Sequence, residues 1–230
     1  MRALLLPVKD LRNAKQRLAP VLTPEERTAL AEAMLADTVH ALRGVRRADK
    51  IFVVTNHAPA MQIAHQNGWE ILPEEQQISE SVSVDAASRE CERRGITAIL
   101  RLPLDVPLVQ SADIDELLAV ECGAPGLVIV PSRDATGTNA ILRTPPTLFP
   151  SHFGSGSFAK HCAEAERVSA NIVKLRNIRL EMDVDDEADL RALLEHDLCG
   201  THTGRWLVES GVAVRFRDQR SAQVRLATKI

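Results

Sequence analysis

The run Ala3-Leu4-Leu5-Leu6 is wholly apolar, is stopped by Pro7, and leads into a loop carrying Lys9, Arg12, Lys15 and Arg17. A strand without polar alternation is buried on both faces, the mark of a parallel sheet between helix layers. In open α/β sheets ligands bind where such a strand ends and its loop opens over the sheet edge. Lys9 and Lys15 bring flexible ammonium groups to that place, which suits the phosphates of a nucleotide; a solvated surface role is the ordinary alternative for a lysine.

The pattern that follows keeps the same alternation. Thr23-Pro24-Glu25-Glu26 is a capping box with proline at the first helical position, opening a helix with Leu30, Met34, Leu35 and Leu42 at helical spacing. Residues 51–55, 69–72, 98–102 and 127–130 read as strands; 58–66, 79–94 and a segment capped by Ser111 and running to Val120 read as helices. The second half predicts strands at 139–142, 171–175 and 179–182, with helices at 157–167 and 186–194. This predicts an α/β fold: a single Rossmann-like, mainly parallel sheet with helices on both faces. We divide the chain into one domain over 1–198 and a C-terminal extension over 199–230. In the extension, 206–208 and 212–216 predict a hairpin before a loosely ordered tail; such a hairpin would offer a sheet edge for a homo-oligomer.

Composition excludes several function classes. A net charge of −3 argues against nucleic acid as a partner, although a nucleotide needs only a local basic loop. The N-terminal apolar run is closed by Lys9 and Asp10, far short of a membrane span, and no small-residue cleavage site follows it. Cys91, Cys122, Cys162 and Cys199 are scattered without a C-x-x-C pair, and the 7 histidines form no H-E-x-x-H. These read as reduced thiols of a cytoplasmic protein rather than a disulfide framework or a zinc site.

Two acidic stations stand out. Asp105 follows a predicted strand and is bracketed by Pro103 and Pro107. In Met182-Asp183-Val184-Asp185-Asp186, extended alternation puts Asp183 and Asp185 on one face. Paired carboxylates repel unless they share a cation, and Mg²⁺ takes one or two carboxylates along with phosphate oxygens and water. Asp185 or Asp186 serves equally well as the cap of the following helix, with Asp189 in its first turn. Two further segments have the chemistry of an anion cradle: Pro131-Ser132-Arg133-Asp134-Ala135-Thr136-Gly137-Thr138-Asn139-Ala140, and Phe153-Gly154-Ser155-Gly156-Ser157-Phe158 with His161 beyond it. An ordinary helix cap at Ser157 and a packed His161 are the plainer alternatives.

In their order and spacing these segments resemble the guanylyltransferases of coenzyme F420 biosynthesis, the 2-phospholactate/phosphoenolpyruvate guanylyltransferase family. The shared segments are P-V-K with A-K-x-R-L, L-D-x-P, P-S-R-D-x-x-G-T-N-A, F-G-x-x-S-F-x-x-H and D-V-D, spread over roughly residues 2–195. The resemblance implies the nucleotide-diphosphosugar-transferase type of sheet and transfer of a guanylyl group from GTP to a small phosphorylated carboxylic acid, with release of pyrophosphate. The acid is 2-phospholactate, phosphoenolpyruvate or 3-phosphoglycerate. It further implies Lys9 and Lys15 on the triphosphate, Mg²⁺ on Asp105, Asp183 and Asp185, and the acceptor on Thr138, Gly154 and Ser157. Where the family has G-L-N-x-A, this chain reads Ser83-Val84-Asp85-Ala86-Ala87. Asp85 would accept hydrogen bonds from the N1–H and exocyclic amine of guanine. A cytidylyl- or molybdopterin-type relative would open on G-G-x-S-x-R-M-G, which is absent. A nucleotide sensor without catalysis remains the alternative from another class, distinguished by pyrophosphate release.

Overall fold

The computed structural model describes residues 1–74 and 79–218. β1 (Arg2–Pro7) runs through the middle of the molecule. Two short 3₁₀ turns, Leu11–Asn13 and Gln16–Leu18, lead from it to α1 (Pro24–Arg43). β2 (Lys50–Val54), α2 (Ala58–Gln66), β3 (Glu70–Leu72), α3 (Glu80–Arg93), β4 (Ala98–Arg101) and α4 (Ser111–Ala119) follow. Then come β5 (Gly126–Pro131), β6 (Thr138–Thr144), α5 (Ser157–Arg167), β7 (Asn171–Lys174), α6 (Ile178–Glu181), α7 (Glu187–Leu193) and α8 (His202–Glu209).

The strands form one sheet of 7, in the order β3-β2-β1-β4-β6-β5-β7. β6 is antiparallel to both β4 and β5, and the remaining pairs are parallel. Alternate residues of β1 face opposite layers. Leu4 and Leu6 pack with α1, α2 and α4 on one side; Ala3 and Leu5 pack with α3 on the other. α5 lies on the α3 side, over Leu127 and Ile129 of β5. The predicted mixed, mainly parallel sheet with helices on both faces is therefore present.

Its reversed strand matters for the site. Because β6 runs against its neighbours, its first residue, Thr138, lies at the same sheet edge as the chain leaving β4. One backbone bond then brings in the D-V-D segment: the Val184 N–H donates to the Asp105 carbonyl at 3.0 Å.

Three expectations are corrected. Residues 179–182 are not a strand but fall within and just after α6, because the Asn177 side chain accepts from the N–H groups of Arg179 and Leu180 and starts a helical turn. α4 is capped by Gln110 and Asp113 in a reciprocal box; Ser111 instead donates to the Ala41 carbonyl at 2.7 Å. The predicted C-terminal hairpin is helical: α8 and a further helix over 212–218. Leu207, Val212, Ala213 and Phe216 bury with Leu30 and Met34 of α1 in a second core. The predicted loose tail beyond residue 218 lies outside the described residues. Among the described residues no helix is long and apolar enough to cross a membrane.

Candidate active site

At the sheet edge where β1 and β4 end lies a cavity of about 360 Å³. Asp105, Thr138, Gly154, Ser157, Asp183 and Asp185 all line it, although they come from four separate stretches of chain. One wall is acidic. Lys15 Nζ donates to Asp105 Oδ2 and to Asp185 Oδ1, each at 2.9 Å, with its side chain only 10% exposed. Lys15 reaches them from a left-handed backbone (φ 54°, ψ 43°) between the two 3₁₀ turns, a conformation that costs a non-glycine residue about 1–2 kcal/mol. Burial works against charging either partner, but mutual attraction outweighs it. The Asp105 carboxyl is held below the usual carboxylate range and the Lys15 ammonium above the usual lysine range.

Asp183 behaves in the opposite way. Burial pushes it up to about 6; a hydrogen bond from Asn139 opposes this, and the charges of Asp105 and Asp185 add to it. Asp186 and Asp189 have a local role. They form a reciprocal capping box at the start of α7, the plainer reading of that part of the cluster.

The wall formed by the loop before β6 and the start of α5 is built largely of hydroxyls and glycines. The backbone N–H of Phe158 donates to the Thr136 carbonyl at 3.2 Å, tying the start of α5 to the loop before β6. The two predicted cradle segments thus share one cavity, but their donors differ from expectation. The Gly137 N–H is taken by Ser132 Oγ at 2.7 Å, the Thr136 N–H by Asp134, and the Ser157 N–H by the Gly154 carbonyl. What the two segments still offer are the side-chain hydroxyls of Thr138 and Ser157 and the backbone of Gly154 and Ser155. Ser157 is not the helix cap; Gly156 is, at φ +70°, and Gly154 before it turns at φ +110°, a region open to glycine at no cost. Asn139 fixes the loop, donating to the Leu180 carbonyl at 2.9 Å. His161 is fully buried behind the wall, the packed alternative.

Lys9 and Asp85 are not brought to the cavity. Lys9 is half-buried beyond the end of β1 and makes no ion pair among the described residues. Asp85 accepts from the Ser151 N–H at 3.0 Å and the Ser151 hydroxyl at 2.6 Å, and faces Arg143 at 3.5 Å. Arg143 is 1% exposed, so Asp85 is the counter-ion of a buried guanidinium. Three arginines also line the cavity: Arg17 and Arg133, which lie in singled-out segments but were given no role of their own, and Arg101, which was not foreseen. Arg101 carried a usable signal, as a charged residue in an otherwise apolar strand. Its guanidinium lies 4.3 Å from the Phe153 ring centroid, and its Nη2 donates to Glu80. Among the described residues no group of three or more Asp, Glu, His or Cys side chains is placed so that it could hold a metal ion by itself.

Comparison with known proteins matches residues 1–229 to the family described as "Guanylyl transferase CofC like". The chain is 37% identical to a phosphoenolpyruvate guanylyltransferase of Rubrobacter xylanophilus over 194 residues, 82% of this chain and 91% of that one. It is 30% identical to a 2-phospho-L-lactate guanylyltransferase of Methanothermobacter thermautotrophicus over 203 residues, 88% of each chain. In fold it is similar to a solved structure from Desulfovibrio desulfuricans described as a nucleotide-diphospho-sugar transferase. That likeness has a TM-score of 0.74 at 18% identity and covers 93% of this chain and 96% of that one.

Proposed function

The chain belongs to the CofC-like guanylyl transferase family, and from that premise we propose how its cavity divides the work between two substrates. The protein is a nucleotidyltransferase that joins GTP to a small phosphorylated carboxylic acid in coenzyme F420 biosynthesis. An oxygen of the acceptor phosphate forms a bond to the α-phosphorus of GTP, and the bond to the β-phosphate breaks, releasing pyrophosphate. The attacking oxygen is already ionised, so no protein nucleophile is needed, and the protein contributes position and charge.

The observation that carries this reading is that one cavity lining brings Asp105, Asp183 and Asp185 together with the hydroxyls of Thr138 and Ser157 and with Gly154. The acidic wall fits a divalent cation. Its donors are hard carboxylate oxygens, and Asp105 and Asp185 already close around the positive charge of Lys15. Mg²⁺ takes one or two carboxylates and completes its shell with water and substrate phosphate oxygens. Asp105, Asp183 and Asp185 would hold the ion, whose charge would offset that developing on the α-phosphate. Lys15 and Arg17 would meet the triphosphate. Thr138, Gly154 and Ser157 would take the acceptor's phosphate, a small pocket that a phospho-acid fills.

The test pairs GTP, ATP, CTP and UTP with each of phosphoenolpyruvate, 2-phospholactate and 3-phosphoglycerate in the presence of Mg²⁺, reading pyrophosphate and product mass. The reading expects pyrophosphate with GTP and at least one acid. Nucleotide binding without pyrophosphate under every pairing would make the protein a sensor.

A further inference from the structure

His161 sits on α5 one turn beyond Ser157, fully buried behind the hydroxyl wall. Its ring lies between Phe149, stacked at a centroid distance of 6.0 Å, and Phe153, edge-on at 5.1 Å. Both ring nitrogens are engaged. Nε2 receives the backbone N–H of His152 at 2.9 Å. An N–H can only donate, so Nε2 carries no hydrogen and the ring is a neutral imidazole. Its single hydrogen is therefore on Nδ1, which faces Thr138 Oγ1 at 3.0 Å. Burial, followed by the nearby charge of Arg143, agrees with this by holding His161 down at about 3.

This fixes the direction of the next bond. Thr138 Oγ1 accepts from Nδ1–H, so its own hydrogen is left to point elsewhere, and Thr138 lines the cavity. No other described residue takes that hydrogen. With the opposite tautomer, Thr138 would spend its hydrogen on Nδ1 and turn a lone pair toward the ligand, repelling an anionic oxygen.

We infer that His161 is a positioning residue: through Nδ1–H it makes the Thr138 hydroxyl an outward donor, so that this point of the wall selects an acceptor bringing an anionic oxygen. The inference rests on the reading of this wall as the phospho-acid site. It gives the last position of F-G-x-x-S-F-x-x-H a job without contact to substrate. It also explains why a histidine is buried beside two guanidinium groups, which would repel its charged form.

The direct test is ¹⁵N NMR of the full chain labelled at histidine, with the His161 signals assigned by their loss in His161→Asn. The inference expects hydrogen on Nδ1 and none on Nε2; hydrogen on Nε2 overturns it. Kinetics supply the functional half. His161→Gln can still accept the His152 N–H but gives up the Nδ1 donor, and should raise the acceptor KM about tenfold. The GTP KM should stay put. His161→Asn places an amide donor near Nδ1 and should recover most of the loss. Once Thr138→Val has removed the hydroxyl, adding His161→Gln should raise the acceptor KM no further, whereas a merely structural histidine would give additive losses. If Thr138→Val raises the acceptor KM and His161→Gln does not, the positioning role is wrong while the acceptor site stands. If Thr138→Val itself leaves the acceptor KM unchanged, the acceptor assignment falls, and this inference with it.

Discussion

On one wall of the cavity Lys15 stands 2.9 Å from both Asp105 and Asp185, with Asp183 pushed up to about 6 beside them. On the other, Thr138 meets a neutral imidazole at 3.0 Å and Ser157 opens a helix after two glycines in the left-handed region. The first wall is held by opposed charges, so its shape depends on ionisation and on what cation lies between the carboxylates. The second is held by hydrogen bonds within its own segments, three of them to the Asp134 carboxylate, and by backbone turns, and is formed before any ligand arrives. A cavity built this way can admit a highly charged nucleotide by rearranging charge on one side while keeping a rigid measure of a small acid on the other. Substitutions on the acidic wall should therefore act on turnover and pH dependence, and those on the hydroxyl wall on acceptor affinity alone.

The largest effect is expected at Asp105. Asp105→Asn keeps the shape but removes the charge, and turnover should fall on the order of a thousandfold while the circular dichroism spectrum stays native. Near-normal turnover at saturating Mg²⁺ would break the comparison at its acidic end. Asp85→Ala comes next, with its effect on stability: Arg143 would be left as a buried charge without its carboxylate, at a cost of about 3 kcal/mol in denaturant unfolding. The preference for GTP over ATP should not change. A lost preference with intact stability would return Asp85 to the nucleotide.

Asp183 supplies a pH signature. Its folded pKa is raised to about 6, above an unfolded value of about 4, so the folded state binds the extra proton between them. Stability from this group is thus greatest below about pH 4, declines as pH rises to about 6, and stays low above that. Asp183→Asn removes the decline. In the metal-free protein its Tm should exceed the parent's on the order of 4 °C at pH 7.5 and match it near pH 4, with activity lost. A gain of equal size at both pH values would mean that Asp183 is not strained by charge.

Much of this was legible from local pattern. The apolar run of β1 and the capping box at Thr23 are short-range signals, and both appear where expected. The convergence of Asp105 with the D-V-D segment was implied by the family resemblance rather than by local pattern, and it depends on a backbone bond between residues far apart in the chain. What could not be read depends on partners with no local trace. Asp85 finds Ser151 66 residues away, and no pattern around position 85 announces a buried arginine on β6. The C-terminal helices were misread for another reason. Val208, Val212 and Val214 around Gly211 favour strands by type, yet Leu207 and then Val212, Ala213 and Phe216 bury at helical spacing against α1. Propensity pointed one way, and tertiary packing prevailed. The two cradle segments do share the cavity lining, but the N–H groups of Thr136, Gly137 and Ser157 are occupied by Asp134, Ser132 and Gly154.

The division of the cavity is tested most directly at Ser157, where the expected effect is smallest and most selective. In Ser157→Ala, the KM for the acceptor and the KM for GTP are measured in parallel by pyrophosphate release, each at saturating partner. Losing one hydrogen bond to a charged group should weaken the acceptor by about 1–2 kcal/mol, roughly tenfold in its KM. The GTP KM should remain within error of the parent's. A rise in the GTP KM with the acceptor unaffected would reverse the assignment of the two walls and contradict the account.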